Sequence, residues 1–314
     1  MRSACYTLKR NSRVPSPSVF HSIYSFVIHM KTPRAIDIWL SKICYFRGPL
    51  AMISDPPKNR DWWPALEDLR LKDTAVVVLN TSIENPPKLV RHLWNNSWLR
   101  VTVDGGTNKW HNFVKQHSFD DLKYPDLITG DLDSANLAVV EQFVTMGSKI
   151  IPTPNQDETD FIKALKEVKK YSEKNSKSID SIIVMVNMCY RVDHFLSNLN
   201  TLYKSKTKDL YFNEDIYLLG RNSLTWLLQA GTHRIHVPQS LRLHPENNYV
   251  GFFPMGSTCK QCTTTGLKWN LSGKLMEMGG LTSSSNTFNG EPIVTITNSS
   301  PLLWTMTMGY EESF

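Results

Sequence analysis

The chain reads as an α/β doubly wound parallel-sheet domain followed by an all-β sandwich domain. Three observations predict this. From Thr74 to about Gly220, short β-rich apolar runs alternate with helical patterns, as right-handed βαβ crossovers require. After about Arg221 the helical periodicity stops, and short strands recur between Gly, Pro, Asn and Ser turns. With 314 residues and 41% apolar content, the chain can bury a sizeable core and suits two domains better than one. The reading places the α/β part at 63–221 and the β part at 222–314, and sets 1–62 aside as an extension.

Taken in order, strands are predicted at 75–79 (AVVVL), 99–103 (LRVTV), 126–129 (DLIT), 149–153 (KIIPT) and 181–186 (SIIVMV), with IYLLG at 216–220 as one more. Helices are predicted between them at Pro87–Trp94, Thr107–His117, Asn136–Met146, Thr159–Tyr171 and Val192–Lys204, where apolar positions such as Phe161, Leu165 and Val168 recur at helical spacing. Beyond 221, LTWLLQAG, HRIHVP, YVGFFPMG, KWNLSGKLMEMGG, EPIVTITN and LLWTMTM supply the β half. There is no internal repeat and no long low-complexity tract.

Charge argues against nucleic acid. Six of the 35 basic residues, Arg2 to Arg34, precede the first acidic one, Asp37, leaving 29 basic residues against 29 acidic ones. A nucleic-acid domain carries a basic excess, and none is visible here. Five scattered cysteines fit reduced thiols in the cytosol better than a disulfide framework. Cys259 and Cys262 form a lone CxxC with no matching pair, so two strand thiols are expected rather than zinc. No run reaches the roughly 18 apolar residues of a membrane span. The segment up to Arg34, basic and Ser-rich, has the composition of a mitochondrial transit peptide; sequence upstream of a start at Met30 or Met52 is the other reading.

In open parallel sheets ligands collect beyond the carboxyl ends of the strands. Here those ends are acidic or polar. Asp104, Gly105, Gly106 and Asn108 follow the second predicted strand, and Asp131 and Asp133 the third. Gln156, Asp157, Thr159 and Asp160 follow the fourth, and Arg191, Asp193 and His194 the fifth. Any one is ordinary turn chemistry, since Asp beside Gly and Ser bonds its own backbone. Four on one edge would repel each other unless a cation sat among them, and Mg²⁺, which takes hard oxygens and completes its shell with water and phosphates, is the natural candidate. Thr159 is a good N-cap before DFIKAL, and helix starts favour anions. Lys163, a turn later, is read either as a phosphate ligand or as a solvated helix lysine. Arg191 is read either as a fork on phosphate or as a partner of a neighbouring aspartate. Neither GxGxxG nor a Walker A loop is present.

VDGGTNKW, DLITGDLDS, IIPTPNQDETDFIKAL, RVDH, TTTGLKWNL and SSSNTF stand in an order and spacing that resemble the eukaryotic thiamine pyrophosphokinase family over about Trp63 to Met308. The resemblance implies a homodimer, with sites at the subunit interface, that moves the terminal diphosphate of ATP onto thiamine and releases AMP in the cytoplasm. It implies Mg²⁺ at Asp131, Asp133 and Asp160. Asp104 and Asn108 would form the nucleotide-side pocket, Gln156, Thr159 and Lys163 the ATP loop, and Arg191 and Asp193 the RxD element. Thiamine would rest on Trp269, Ser285 and Asn286, because an aromatic face suits a flat pyrimidine and a thiazolium cation. On residues alone, Trp269 reads instead as a core tryptophan and SSSNT as a turn.

The chain departs from the family where a glycine-rich loop precedes RxD, since Asn187, Met188, Cys189 and Tyr190 stand there. The enzyme reading is kept. A thiamine or nucleotide binder without turnover is the alternative, and a metal-dependent hydrolase of nucleoside diphosphate compounds is a third.

Overall fold

The computed structural model describes residues 59–64, 71–188 and 191–308. Its strands are β1 (Arg60–Trp62), β2 (Thr74–Val78), β3 (Leu99–Val103), β4 (Leu127–Gly130), β5 (Lys149–Pro152), β6 (Ser181–Met185), β7 (Asp215–Leu219), β8 (Ser223–Leu228), β9 (Gly231–His236), β10 (Val250–Phe253), β11 (Cys259–Thr265), β12 (Lys274–Met276), β13 (Ser283–Asn286), β14 (Ile293–Asn298) and β15 (Leu302–Thr307). Its α-helices are α1 (Pro87–Asn96), α2 (Gly106–His117), α3 (Leu137–Met146), α4 (Asp160–Lys174), α5 (Val192–Lys204) and a short α6 (Gln239–Leu243).

β2, β3 and β6 are buried along their whole length because helices cover both faces of the sheet. Val76, Val78, Ile128 and Ile183 pack with Leu93 and Trp94 of α1, Trp110 of α2 and Phe143 of α3 in one apolar cluster. On the other face Ala75, Val77, Val101 and Val184 pack with Phe161 and Leu165 of α4 and Leu199 of α5. The parallel strands run β7-β6-β2-β3-β4-β5, so chain order reverses between β2 and β6.

The halves share one sheet. The β7–β8 hairpin, closed by Gly220 N–H donating to Ser223 O at 2.9 Å, continues the parallel sheet with antiparallel β8, β15, β10 and β13 to ten strands. A second sheet, ordered β1-β9-β14-β11-β12, completes the sandwich over Trp226, Phe252 and Trp304. The α/β part followed by a β-rich part is therefore as expected, while the sheet passes unbroken across 221 and 222.

The extension is a correction. Residues 1–58, with the transit-peptide and start-site readings, lie outside the described residues, but Arg60–Trp62 form β1, parallel to β9. The reason is packing: Trp62 is 3% exposed, its indole N–H donates to Nδ1 of His233 at 3.0 Å, and Arg60 pairs with Asp215. Three residues are too few to show a strand period.

His233 sits at this joint, fully buried, with Nε2 2.8 Å from Gln229 O. Burial pushes its pKa down from the usual 6.5 to about 4, so the ring stays neutral and accepts from Trp62. Between those values the unfolded chain takes up a proton that the folded chain refuses. Stability, complete above pH 6.5, should therefore decline as pH falls toward about 4, by about 3 kcal/mol for the full shift. Urea unfolding of wild type and His233→Gln across that window checks this: the wild type should show the steeper loss, and parallel curves would remove the assignment.

Candidate functional site

A cleft of about 480 Å³ opens at the carboxyl ends of β2 to β6. Every strand end contributes: Asn80 and Thr81 after β2, Asp104 after β3, Asp131, Asp133 and Ser134 after β4, Gln156, Glu158, Thr159, Asp160 and Lys163 after β5, and Arg191 and His194 after β6. This is the crevice beside the reversal of strand order.

Local chemistry shapes its acidic floor. Gly130 has φ +134°, and a Cβ there would lie 2.9 Å from the Cβ of Asp104; the glycine lets the two strand ends approach. Leu132, at φ 65°, packs against the apolar cluster, leaving Asp131 and Asp133 on the cleft side of the turn. Asp104, 3% exposed, accepts Ser134 N–H at 3.1 Å. One carboxylate oxygen from each of Asp104, Asp131 and Asp133 falls within 4.8 Å of the others. Asp131 is steadied by Gln156 Nε2 at 2.7 Å, which, with smaller help from the Asp133 amide and the Lys163 charge, holds its carboxyl below the usual range.

The expected metal set therefore differs from the set that geometry assembles. Asp104 joins Asp131 and Asp133, whereas Asp160 lies in the cleft with Oδ1 2.6 Å from Lys163 Nζ. Lys163 is 5% exposed and also donates to Thr153 O at 3.0 Å, which excludes the solvated-lysine reading. Thr159 caps α4, accepting Ile162 N–H at 3.3 Å.

Asn108 is not in the cleft lining. It donates to Ser134 O at 2.9 Å and accepts Asn136 N–H at 2.8 Å, fixing the turn that carries the aspartates. Arg191 lines the cleft, and its Nε donates to Asp193 Oδ1 at 3.1 Å. That guanidinium holds the exposed Asp193 carboxyl down at about 2, so the pair stays ionised at neutral pH. Asp193 itself is absent from the lining. In the departing segment Asn187 and Met188 are described, while Cys189 and Tyr190 lie outside the described residues. The polar cleft residues that sequence reasoning missed are Asn80, Thr81, Ser134, Glu158, Ser197 and Asn198. The polar run after AVVVL was a strand end that the crevice rule would have found.

In the β half Trp269 is 56% exposed, not core, with Lys268 Nζ 4.7 Å from its ring centroid. Asn286, 3% exposed, clamps the Trp269 backbone: Oδ1 accepts its N–H at 3.2 Å and Nδ2 donates to its O at 2.8 Å. Ser285 is exposed at φ 56° in β13, a strand where a turn was expected. Cys259 and Cys262 are buried free thiols.

Residues 90–212 match the family description "Thiamin pyrophosphokinase, catalytic domain", and residues 232–303 match "Thiamin pyrophosphokinase, vitamin B1 binding domain". The chain is 34% identical over 244 residues to thiamine pyrophosphokinase 3 of Oryza sativa subsp. japonica, covering 74% of this chain and 86% of that protein. It is 33% identical over 247 residues to thiamine pyrophosphokinase 2 of Arabidopsis thaliana, covering 74% and 86% respectively. In fold it is similar to the solved thiamin pyrophosphokinase from Candida albicans, with a TM-score of 0.69 at 22% identity over 84% of this chain and 98% of that one. Among the described residues, no helix is long and apolar enough to cross a membrane.

Proposed function

The chain belongs to the thiamine pyrophosphokinase family, and from that premise we propose that its cleft holds Mg²⁺ and ATP while Trp269 receives thiamine. The reaction is transfer of the diphosphate group of ATP to the hydroxyl of thiamine, giving thiamine diphosphate and AMP. The hydroxyl oxygen bonds to the β-phosphorus, the α,β-bridging oxygen leaves with AMP, and the hydroxyl proton is released. The observation that carries the reading is the convergence of three carboxylates with Lys163 and Arg191 in one cleft.

The donor set fits Mg²⁺. Asp104, Asp131 and Asp133 offer hard oxygens within 4.8 Å of one another, and the buried Asp104 carboxylate gains from a cation beside it. A bound Mg²⁺ neutralises phosphate charge. The protein's own groups do the rest: Lys163 and Arg191 take phosphate oxygens, Thr159 fixes the start of α4, and Gln156 holds Asp131. Positioning and charge stabilisation account for phosphoryl-type transfer without a dedicated base.

For thiamine, Trp269 is 56% exposed with Lys268 over its ring, and Asn286 acts as a positioning residue that fixes the Trp269 backbone. Ser285 adds an exposed hydroxyl. Among the described residues none beyond Asn198 lines the cleft, and Trp269, Leu275, Met278 and Leu281 are exposed in the β half. These observations favour a homodimer in which a second copy brings its indole to the cleft. The buried free thiols suit a reducing, cytoplasmic setting. The alternative of a binder without turnover is not favoured, given 34% identity to a named thiamine pyrophosphokinase over most of the chain.

Incubation with ATP, Mg²⁺ and thiamine should release AMP and thiamine diphosphate in equal amounts. ADP as the nucleotide product would point to a simple kinase, and thiamine binding with no turnover would return the binder reading.

A further inference from the structure

We propose that Asn187 is a positioning residue: it ties the exit of β6 to the loop after β2 and so sets where Arg191 meets the nucleotide. This rests on the reading of the cleft as the ATP site. β6 lies between β2 and β7, and two residues beyond its end the chain is gripped from both neighbours. On the β2 side, Asn187 N–H donates to Thr81 Oγ1 at 3.3 Å, and its Nδ2 donates to Ser82 Oγ at 2.8 Å and Glu84 Oε1 at 2.6 Å. Ser82 Oγ donates to the same carboxylate oxygen at 3.1 Å. On the β7 side, Ser223 Oγ lies 3.4 Å from Met188 Sδ, and a Cβ on Gly220 would meet that sulfur at 3.2 Å. Asn85 Nδ2 donates to Gly220 O at 2.7 Å, joining the two flanks.

The grip is placed to matter. Thr81, which accepts the Asn187 amide, lines the cleft, and Arg191 enters that cleft only four residues later. Glu84 is outside the cleft lining, so its carboxylate contributes through Asn187 and not through the ligand. The contact is charge-assisted and has a direction: it needs a donor at position 187 facing an acceptor at position 84.

Direction gives the test. Asn187→Asp keeps the shape, loses the donor and sets two carboxylates face to face, so KM for ATP should rise about tenfold with KM for thiamine nearly unchanged. Glu84→Gln alone should leave KM for ATP unchanged, because Asn187 can still donate to the amide oxygen. Glu84→Gln combined with Asn187→Asp should restore it, the donor now sitting at position 84. Unchanged KM in Asn187→Asp, or no recovery in the double variant, overturns the proposal. A fall in KM from Glu84→Gln alone also overturns it, since that would mean a field acting on ATP. Should Asn187→Asp fail to fold, Asn187→Ala replaces it, and KM for ATP must then rise about threefold. Affinity for a non-hydrolysable ATP analogue, measured by calorimetry, follows the same order independently of turnover. Absence of nucleotide binding by the wild-type protein would overturn the reading of the cleft and this proposal with it; tether failure alone leaves wild-type binding intact.

Discussion

Asp131→Asn and Asp133→Asn should each lower turnover about a thousandfold while leaving the thermal melt near that of wild type. The two effects separate because the aspartates do different things for the fold and for the chemistry. Asn keeps an oxygen that can accept Asp133 N–H or Ser134 Oγ–H, the local bonds that Asp131 and Asp133 make now, and Asn suits turns as well as Asp does. It removes the negative charge that three carboxylates share in the cleft. Raising Mg²⁺ should recover part of the loss if the charge mainly recruits the cation. Asp104→Asn should be as damaging, whereas Asp160→Asn, which leaves the three-carboxylate cluster intact, should cost less. Near-normal kinetics in Asp131→Asn and Asp133→Asn at limiting Mg²⁺ would reduce these residues to turn formers. Equal losses at Asp104 and Asp160 would restore the metal set that the sequence motifs suggested.

That ranking marks where sequence reasoning stopped. The central strands of the α/β half were legible because their burial is two-sided, Val76, Val77 and Val78 each being 0% exposed in an unbroken apolar run, and its helices because one-sided burial repeats at helical spacing, as at Phe161, Leu165 and Val168. The polar strand Ser283–Asn286 carries no such period, being held by pairing with β10. That Asp104 joins the Asp131 and Asp133 carboxylates was not legible either. It depends on how closely Gly130 lets one strand end approach another, and that distance has no signature in either segment. Trp269 was misread on its residues alone for a related reason. Its backbone is clamped by Asn286, 17 residues away, in a segment that reads as a turn on its residues alone.

Lys163→Met should reduce turnover about a hundredfold or more and cost about 1 to 2 kcal/mol of stability, chiefly because Thr153 O loses its donor. Lys163 is 5% exposed, and methionine fills most of the space of its apolar stem, so packing survives. Asp160 loses an ion-pair partner, but its side chain is 43% exposed and water takes over the oxygen. The catalytic loss has a different origin. An ammonium has three donors, and Thr153 O and Asp160 Oδ1 account for two, leaving one for a ligand oxygen. Thr153 and Asp160 thus hold a preorganised cation beside Asp131, in the cleft proposed to take the ATP phosphates. Lys163→Arg restores the charge but not the fit, because a planar fork cannot make the same two bonds from one nitrogen; it should recover only a small part of the rate. If Lys163 served only to pin Asp160, Asp160→Asn and Lys163→Met would fail equally and the double variant no further. A phosphate role requires Lys163→Met to be clearly the worse, with the loss concentrated in kcat and in affinity for ATP rather than thiamine. Stopped-flow AMP release with each substrate varied in turn distinguishes the two, and equal single-variant defects would remove Lys163 from the transfer step.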